Sequence, residues 1–365
     1  MIKIRVAVNL LNYKSFQMGG VESFIKDLLR GFLADSERDI EIIYLVNEVA
    51  LPRFRPLVKN FEGEVVKIYP DNPVSRTILQ KIKLRRILNR NRVDVFFSPQ
   101  PFMPISIKNS DVISVFHDFQ HKDIPENFSL LQRLWRRYKD TVTIKNSDVI
   151  VTISEFTKAK LIKNFDFEGQ IEVIPNTVQI KEDIPKERQM KILNAYNLNK
   201  NEFYYTVSSS AKHKNLSTLV RVFNEFKEEK LLITGPKREE HEKLVDMKSS
   251  NVKFTGYIEE LDKNVLMKNC KAFLFPSTYE GFGRPPVEAL LHGQKVITTN
   301  EASIPEVTLG IAKYVRAPYD VSAWIDALES HAGTPTQKEI KALEERYRLD
   351  TVSHLYLNLF EKCLT

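Results

Sequence analysis

The feature that most constrains this chain is a repeated alternation. Short apolar runs rich in Val, Ile and Phe return at intervals, with helix-spaced segments between them. In the first half the runs are "KIRVAVNL", "IEIIYLVN", "EVVKIYP", "DVFFS", "VISVFHD" and "DVIVTIS", and the interleaved segments include "VESFIKDLLRGFL" and "EFTKAKLIKNF". Runs without polar alternation are strands buried on both faces, and strands that alternate with helices form a parallel sheet. The pattern pauses over "VIPNTVQIKEDIPKERQMKI", where Pro175, Asn176, Pro185 and clustered charge mark a linker. It restarts with "FYYTVSSS", "KLLITGP", "NVKFTGY", "KAFLFPS", "KVITTN" and "IAKYV". At 365 residues the chain exceeds what one core ordinarily organises. The reading is an α/β chain of two Rossmann-like, doubly wound parallel-sheet domains, residues 1–180 and 181–344, facing an interdomain cleft. Beyond about Pro335 the sequence turns helical.

Composition removes several function classes. Two cysteines, Cys270 and Cys363, make neither a disulfide scaffold nor a metal site. Cys270, beside an apolar run, reads as a small core residue, and a reducing cytoplasm fits. The opening "MIKIRVAVNLLNYK" is broken by Lys3 and Arg5 and reads as a first strand, not a signal peptide. No run approaches the roughly 18 apolar residues of a membrane-spanning helix. The net charge of +7 suits nucleic acid, anionic lipid, a phosphorylated substrate or simple solubility. No reader helix or interleaved aromatics on a strand support nucleic acid.

Four stretches carry site-like residues, each at the carboxyl end of an expected strand, where open α/β sheets bind ligands. The first is "FLFPSTYEGFGRPPVEALLHG", Phe273 to Gly293. Pro285 and Pro286 are tolerated only at a helix start, and Gly293 suits its C-terminal cap. Gly281 and Gly283 let backbone approach a ligand. Free N–H groups at the helix start would favour an anion. Glu280 on the loop and Glu288, expected in the first turn, both face one pocket. Carboxylates there accept hydrogen bonds from hydroxyls, so the pocket suits a sugar-rich ligand that also bears phosphate.

The second stretch, "YYTVSSSAKHKNLSTLVRVF", sets Lys212, His213 and Lys214 at a strand-to-helix junction, which suits a diphosphate. In the third, "NYKSFQMGGVESFIKDLL", Gly19 and Gly20 lack the dinucleotide fingerprint but permit close approach of a phosphate or sugar. In the fourth, "VISVFHDFQH", His117 and Asp118 end a strand. His117 and His121 have the spacing of a helical metal pair, but no helix pattern covers them and no third ligand is evident.

Together these pieces resemble the retaining glycosyltransferases of family 4, which have the GT-B fold. "EGFGRPPVEAL" resembles that family's E-x7-E element, and "MGGVE", "FHD", "VTISEFTKAKL", "IPNTV", "KNL" and "ASIPEV" match its landmarks in order over nearly the whole chain. The resemblance implies that Glu280 contacts the transferred sugar and Glu288 the ribose hydroxyls. Phe282 and Gly283 would offer amides to the sugar or phosphate, and Lys214 would neutralise the leaving diphosphate. Gly19 and Gly20 would approach that diphosphate, and His117 would sit near the anomeric centre. The family often has arginine five residues before the lysine, where this chain has Ser209, so Lys212, His213 or Arg284 is left to supply the second cation. The resemblance further implies that residues from about 345 cross back onto the N-terminal domain. It also implies a GDP- or UDP-sugar donor, no cofactor, and no essential metal in the absence of an Asp-x-Asp run.

The acceptor is expected to be a saccharide, lipid-linked, in assembly of bacterial surface polysaccharide such as O-antigen. Two basic, partly apolar segments suit an anionic membrane on the cytoplasmic side, or else helices docked on the first sheet. They are Arg76 to Arg92, with Ile87 and Leu88 on an apolar side, and "RLWRRYKD", with Arg133, Trp135, Arg136 and Arg137. The rival readings are a sugar-nucleotide epimerase or phosphorylase of similar fold, a non-catalytic nucleotide-sugar binder and a nucleic-acid binder.

Overall fold

The computed structural model describes residues 3–11, 20–35, 38–47, 51–54, 63–66, 84–102, 107, 109–180, 184–235, 250–330 and 333–363. Gly19 and residues 76–83 lie outside this set. The chain divides into two compact units, one of Met1–Thr177 with Arg348–Thr365, the other Val178–Tyr347.

The first unit is built on a seven-stranded sheet: β1 (Ile4–Leu10), β2 (Ile40–Asn47), β3 (Gly63–Val66), β4 (Val95–Ser98), β5 (Asp111–Phe116), β6 (Val149–Thr152) and β7 (Gln170–Val173). All pairs are parallel, in the order β3-β2-β1-β4-β5-β6-β7. β4 and β6 are buried at every position, as the unbroken apolar runs require. β7 was not anticipated, because its sequence QIEV is half polar and leads straight into the run that reads as linker; it is an edge strand with partly exposed residues. The helices that position the site and surface of this unit are α1 (Gly20–Ala34), α2 (Gln120–Asp123), α3 (Leu130–Lys145) and α4 (Glu155–Asn164).

The C-terminal helix, Leu349–Lys362, packs within this first unit. Tyr356 meets Phe97 edge-on at 5.3 Å between ring centroids, and Phe360 meets Phe32 at 5.6 Å. Gly31 on α1 allows the approach: a Cβ there would stand 2.6 Å from Ser353 Cβ. Residues 84–90 are helical, with Leu84 and Leu88 buried against Ala7 and Phe96 and Ile87 packed on the same cluster. In the described part of Arg76 to Arg92, therefore, the apolar side faces the core rather than a membrane.

The second unit has six parallel strands: β8 (Phe203–Val207), β9 (Lys230–Thr234), β10 (Val252–Gly256), β11 (Ala272–Phe275), β12 (Val296–Thr299) and β13 (Lys313–Val315). Their order is β10-β9-β8-β11-β12-β13. Helices α5 (Leu216–Glu225), α6 (Glu260–Asn269) and α7 (Arg284–Leu291) flank the positions that matter below. The core gathers Leu219, Phe223, Leu231, Leu274 and the fully buried Trp324. The Trp324 indole N–H donates to Pro318 O at 3.0 Å, which satisfies its one polar atom.

Each sheet reverses its strand order at one place, between β1 and β4 in the first unit and between β8 and β11 in the second. The loops leaving those strands diverge to opposite sides and open a crevice at the carboxyl ends.

Candidate functional site

In the second unit the crevice lies between the loops after β8 and β11. β8 ends at Val207, and the chain runs through Ser208 to Ser210 into a single 3-10 turn, Lys212–Lys214. Asn215 then takes a left-handed conformation, φ +53°, and starts α5. Its short amide side chain tolerates that backbone, and its Nδ2 donates to Pro318 O at 2.7 Å. After β11 the chain turns through Tyr279, Glu280, Gly281 and Phe282 into α7. Gly283 at its N-cap has φ +88°. A Cβ there would make ordinary contacts with Glu280 side-chain carbons at 3.6 and 3.7 Å and Ile304 Cγ1 at 3.9 Å, so backbone conformation, not space, demands glycine.

The two loops are tied together. Thr278 N–H donates to His213 O at 2.8 Å, and Ser303 Oγ lies 2.9 Å from both Glu280 O and Phe282 O. Across this scaffold Lys214 Nζ donates to Glu280 Oε1 at 2.6 Å, with both side chains largely buried. Phe282 is buried and meets Tyr347 edge-on at 5.4 Å, which fixes the turn between the two glutamates.

Glu288 stands one turn further along α7. The expectation that it lies in the first turn is corrected: the helix begins at Arg284, so Glu288 is its fifth residue. Prolines 285 and 286 occupy two of the first three helical positions and lack N–H groups. This helix end is therefore poorer in anion donors than its sequence position suggests. Glu288 Oε2 instead accepts a hydrogen bond from Lys263 Nζ at 3.0 Å, while Arg284 Nε is 3.5 Å from Oε1. Burial pushes the Glu288 carboxyl up, but Lys263 and Arg284 outweigh it and hold the group below the ordinary carboxylate range. Burial pushes the Lys263 ammonium down, and Glu288 and Glu260 more than reverse it, so its pKa is raised. Glu288 is thus a buried, fixed carboxylate.

Lys263 was not singled out from the sequence. It is one of two lysines on α6, and only folding brings it to Glu288, 25 positions along the chain. Arg284 stands beside Glu288 rather than alone as a spare cation. Ser209 and Lys212 are exposed on the β8 loop, and His213 is half-buried there.

In the first unit, the described residues at the carboxyl ends of β1 and β4 include a neutral polar cluster. Asn9 Nδ2 donates to Ser98 Oγ at 3.1 Å, and Ser98 Oγ donates to Gln100 O at 2.8 Å. Gln100 is buried, and its Nε2 has no hydrogen-bond partner among the described residues. His117 follows β5 directly, and its Nε2–H donates to Pro99 O at 2.8 Å, since a carbonyl can only accept. Burial lowers the His117 pKa more than Pro99 and Asp118 raise it, so the ring is neutral at pH 7 with Nδ1 as an acceptor. Phe24 on α1 holds the ring edge-on at 5.4 Å. Gly20 begins α1 with nothing near its missing Cβ. Asp118 Oδ1 accepts from Gln120 N–H at 3.1 Å and shapes the turn into α2. Among the described residues, no group of three His, Cys, Asp or Glu side chains is arranged to hold a metal ion.

Two family models match. The one described as Glycosyltransferase Family 4 covers residues 18–182, and the one described as Glycosyl transferases group 1 covers residues 188–342. The serotype-specific mannosyltransferase WbdA of Escherichia coli is 29% identical over 151 residues, 38% of this chain and 18% of that protein. The O-antigen chain mannosyltransferase RfbU of Salmonella typhimurium is 24% identical over 233 residues, 62% of each chain. Both matches thus span less than two thirds of the relative's own length. Among solved structures, Anabaena Alr3699/HepE in complex with UDP-glucose superposes with a TM-score of 0.73 at 16% identity, covering 98% of this chain and 99% of that one.

Proposed function

Because this chain belongs to glycosyltransferase family 4 and has the GT-B fold, we propose that it moves a hexose from a UDP- or GDP-sugar to a saccharide, with retention at the anomeric carbon. The observation that carries this reading is the Lys214–Glu280 pair at the β8/β11 crevice, with the anchored Glu288 one helical turn beyond.

The roles follow from charge. Breaking the bond between the anomeric carbon and the phosphate oxygen builds positive charge on the carbon and negative charge on the diphosphate. Lys214 neutralises the departing diphosphate, aided by the Phe282 and Gly283 amides. Glu280 orients the transferred sugar, and Glu288 accepts hydrogen bonds from the ribose hydroxyls. Lys263 is a positioning residue that keeps Glu288 ionised and aimed. Gly19, Gly20 and His117 serve the other side of the reaction, with His117 offering a neutral, immobile ring. The new bond forms from the acceptor oxygen to the anomeric carbon on the face the diphosphate leaves. The acceptor's proton passes to a diphosphate oxygen, so no enzyme nucleophile is required. With Lys214 and amides meeting the charge, the reaction needs no metal ion, and chelator should leave the rate unchanged.

The mannosyltransferase relatives, one of them named for O-antigen chains, support a bacterial surface-polysaccharide role in O-antigen assembly. In this reading the acceptor is lipid-linked and is met on the cytoplasmic side of the plasma membrane. No helix among the described residues is long and apolar enough to cross a membrane. A thermal-shift panel of UDP-, GDP- and dTDP-sugars tests the reading. A true donor at a hundredfold excess over Kd adds about 2.7 kcal/mol and raises Tm by several degrees. No shift with any nucleotide sugar would overturn it.

A further inference from the structure

Ser303, on the loop after β12, does not use its hydroxyl as its position suggests. It is the N-cap residue of a short helix, Ile304–Val307, and a serine there ordinarily accepts a hydrogen bond from the helix's own free N–H groups. Ser303 makes no such bond. Its side chain instead lies 2.9 Å from both Glu280 O and Phe282 O, in the turn between β11 and α7. A hydroxyl has one proton, so the two carbonyls share it. Ser303 is fully buried, and no solvent competes for that proton. The residue before it, Ala302, has φ +55°, a left-handed backbone that is costly for a side chain with a Cβ and persists where its surroundings hold it.

These bonds orient the other side of the turn. In a trans peptide the C=O and N–H point in opposite directions. With the Phe282 carbonyl drawn to Ser303, the N–H of the same peptide group, that of Gly283, points away from Ser303. That N–H makes no hydrogen bond among the described residues. The Glu280 carbonyl is drawn to the same hydroxyl, which fixes the main chain from which the Glu280 carboxylate meets Lys214 Nζ at 2.6 Å. We propose that Ser303 is a positioning residue for sugar transfer. It touches no substrate, but it sets the peptide that aims the Gly283 amide at the donor and the backbone that carries Glu280. The inference rests on the assignment of Glu280, Lys214 and the Gly283 amide to the donor. A hydrogen-bond donor stabilises developing charge best when it is held in place before that charge appears. Loss of Ser303 should therefore fall on turnover more than on nucleotide binding.

The test compares Ser303→Ala with Thr298→Val. Thr298 is equally buried, and its Oγ1 donates to Phe275 O at 2.8 Å, a similar tie from β12 to β11 that lies outside the turn. The full chain and each variant are titrated calorimetrically with UDP and with GDP, which counts the sites able to bind. Turnover is read as nucleoside diphosphate released from the matching hexose donor and is expressed per binding site. Ser303→Ala should lower kcat at least about tenfold and leave nucleoside diphosphate Kd within about threefold. Thr298→Val should lower Tm by a few degrees and leave kcat per site within about twofold. Should Ser303→Ala fail to fold, Ser303→Cys keeps a similar volume with a weaker donor and should show the same split at about threefold. Unchanged turnover in the Ser303 variants, an equal loss in Thr298→Val, or a loss confined to nucleotide affinity would overturn the proposal. A parent that binds neither nucleotide would instead overturn the sugar-transfer reading, and the role of Ser303 with it.

Discussion

The carboxyl ends of the two sheets are built from different chemistry. In the second unit the strand-order reversal is met by ion pairs, Lys214 with Glu280 between its loops and Lys263 with Glu288 between α6 and α7. In the first unit the described residues at the equivalent place include neutral groups, with Asn9, Ser98 and Gln100 linked through hydrogen bonds and His117 held uncharged. Both arrangements follow strands of the same kind, so the difference belongs to the loops and not to the fold. A crevice lined with fixed charge suits a ligand that is charged and changes its charge during reaction. A neutral, hydrogen-bonding crevice suits hydroxyls whose charge does not change. The division of labour in the proposed transferase follows from this contrast.

The contrast can be broken most sharply at Lys214. Lys214→Ala should lower kcat/KM by about 10² to 10³, the effect of removing a group that stabilises developing charge. A loss no larger than that of a first-unit substitution would remove the distinction. Next comes Lys263→Met, which leaves Glu288 with Arg284 alone. Donor KM should rise about tenfold with kcat within a few-fold, and Lys263→Arg should recover most of it. Because Lys263 helps hold the Glu288 carboxyl below its ordinary range, its loss raises that pKa. The acid limb of donor binding should then move to higher pH, a change that loss of packing alone would not produce. Gln100→Ala should be milder, raising acceptor KM about threefold to tenfold while leaving nucleotide binding unchanged. Calorimetric titration with the free nucleoside diphosphate separates the two effects.

The smallest effect sharpens the account of the first unit away from the crevice. Burial pushes the Asp140 carboxyl up to about 7 and the His121 ring down to about 4, with the two side chains 3.5 Å apart. A carboxyl raised in the folded state stabilises the protein below its unfolded pKa, and that contribution is lost as pH rises through about 7. Asp140→Asn should therefore gain Tm relative to the parent, by a few degrees, as pH goes from 5 to 8. Parallel melting curves across that range would show that Asp140 is not held neutral.

Much of this was legible in the sequence because burial on both faces leaves a plain trace. The unbroken apolar runs of β4, β6 and β11 announce a parallel sheet, and the double proline with Gly293 brackets α7. Edge strand β7 escaped because only one side of it is covered, so its composition is mixed. The glutamates were visible through their spacing around a glycine turn. Their partners were not equally so: Lys214 lies in a basic turn that draws notice, but Lys263 and Gln100 look like any surface lysine or loop glutamine until the chain folds. The first turn of α7 misled in one respect. Prolines mark a helix start, but they also remove the N–H groups that make such a start attractive to anions.

The most direct measurement is a calorimetric comparison of a ribonucleoside diphosphate with its 2′,3′-dideoxy counterpart, on the parent protein and on Glu288→Ala. The account predicts that the parent prefers the ribonucleotide by at least about tenfold and that Glu288→Ala loses that preference while still binding diphosphate through Lys214. An unchanged preference in a folded Glu288→Ala protein, or no nucleotide binding by the parent, would contradict it.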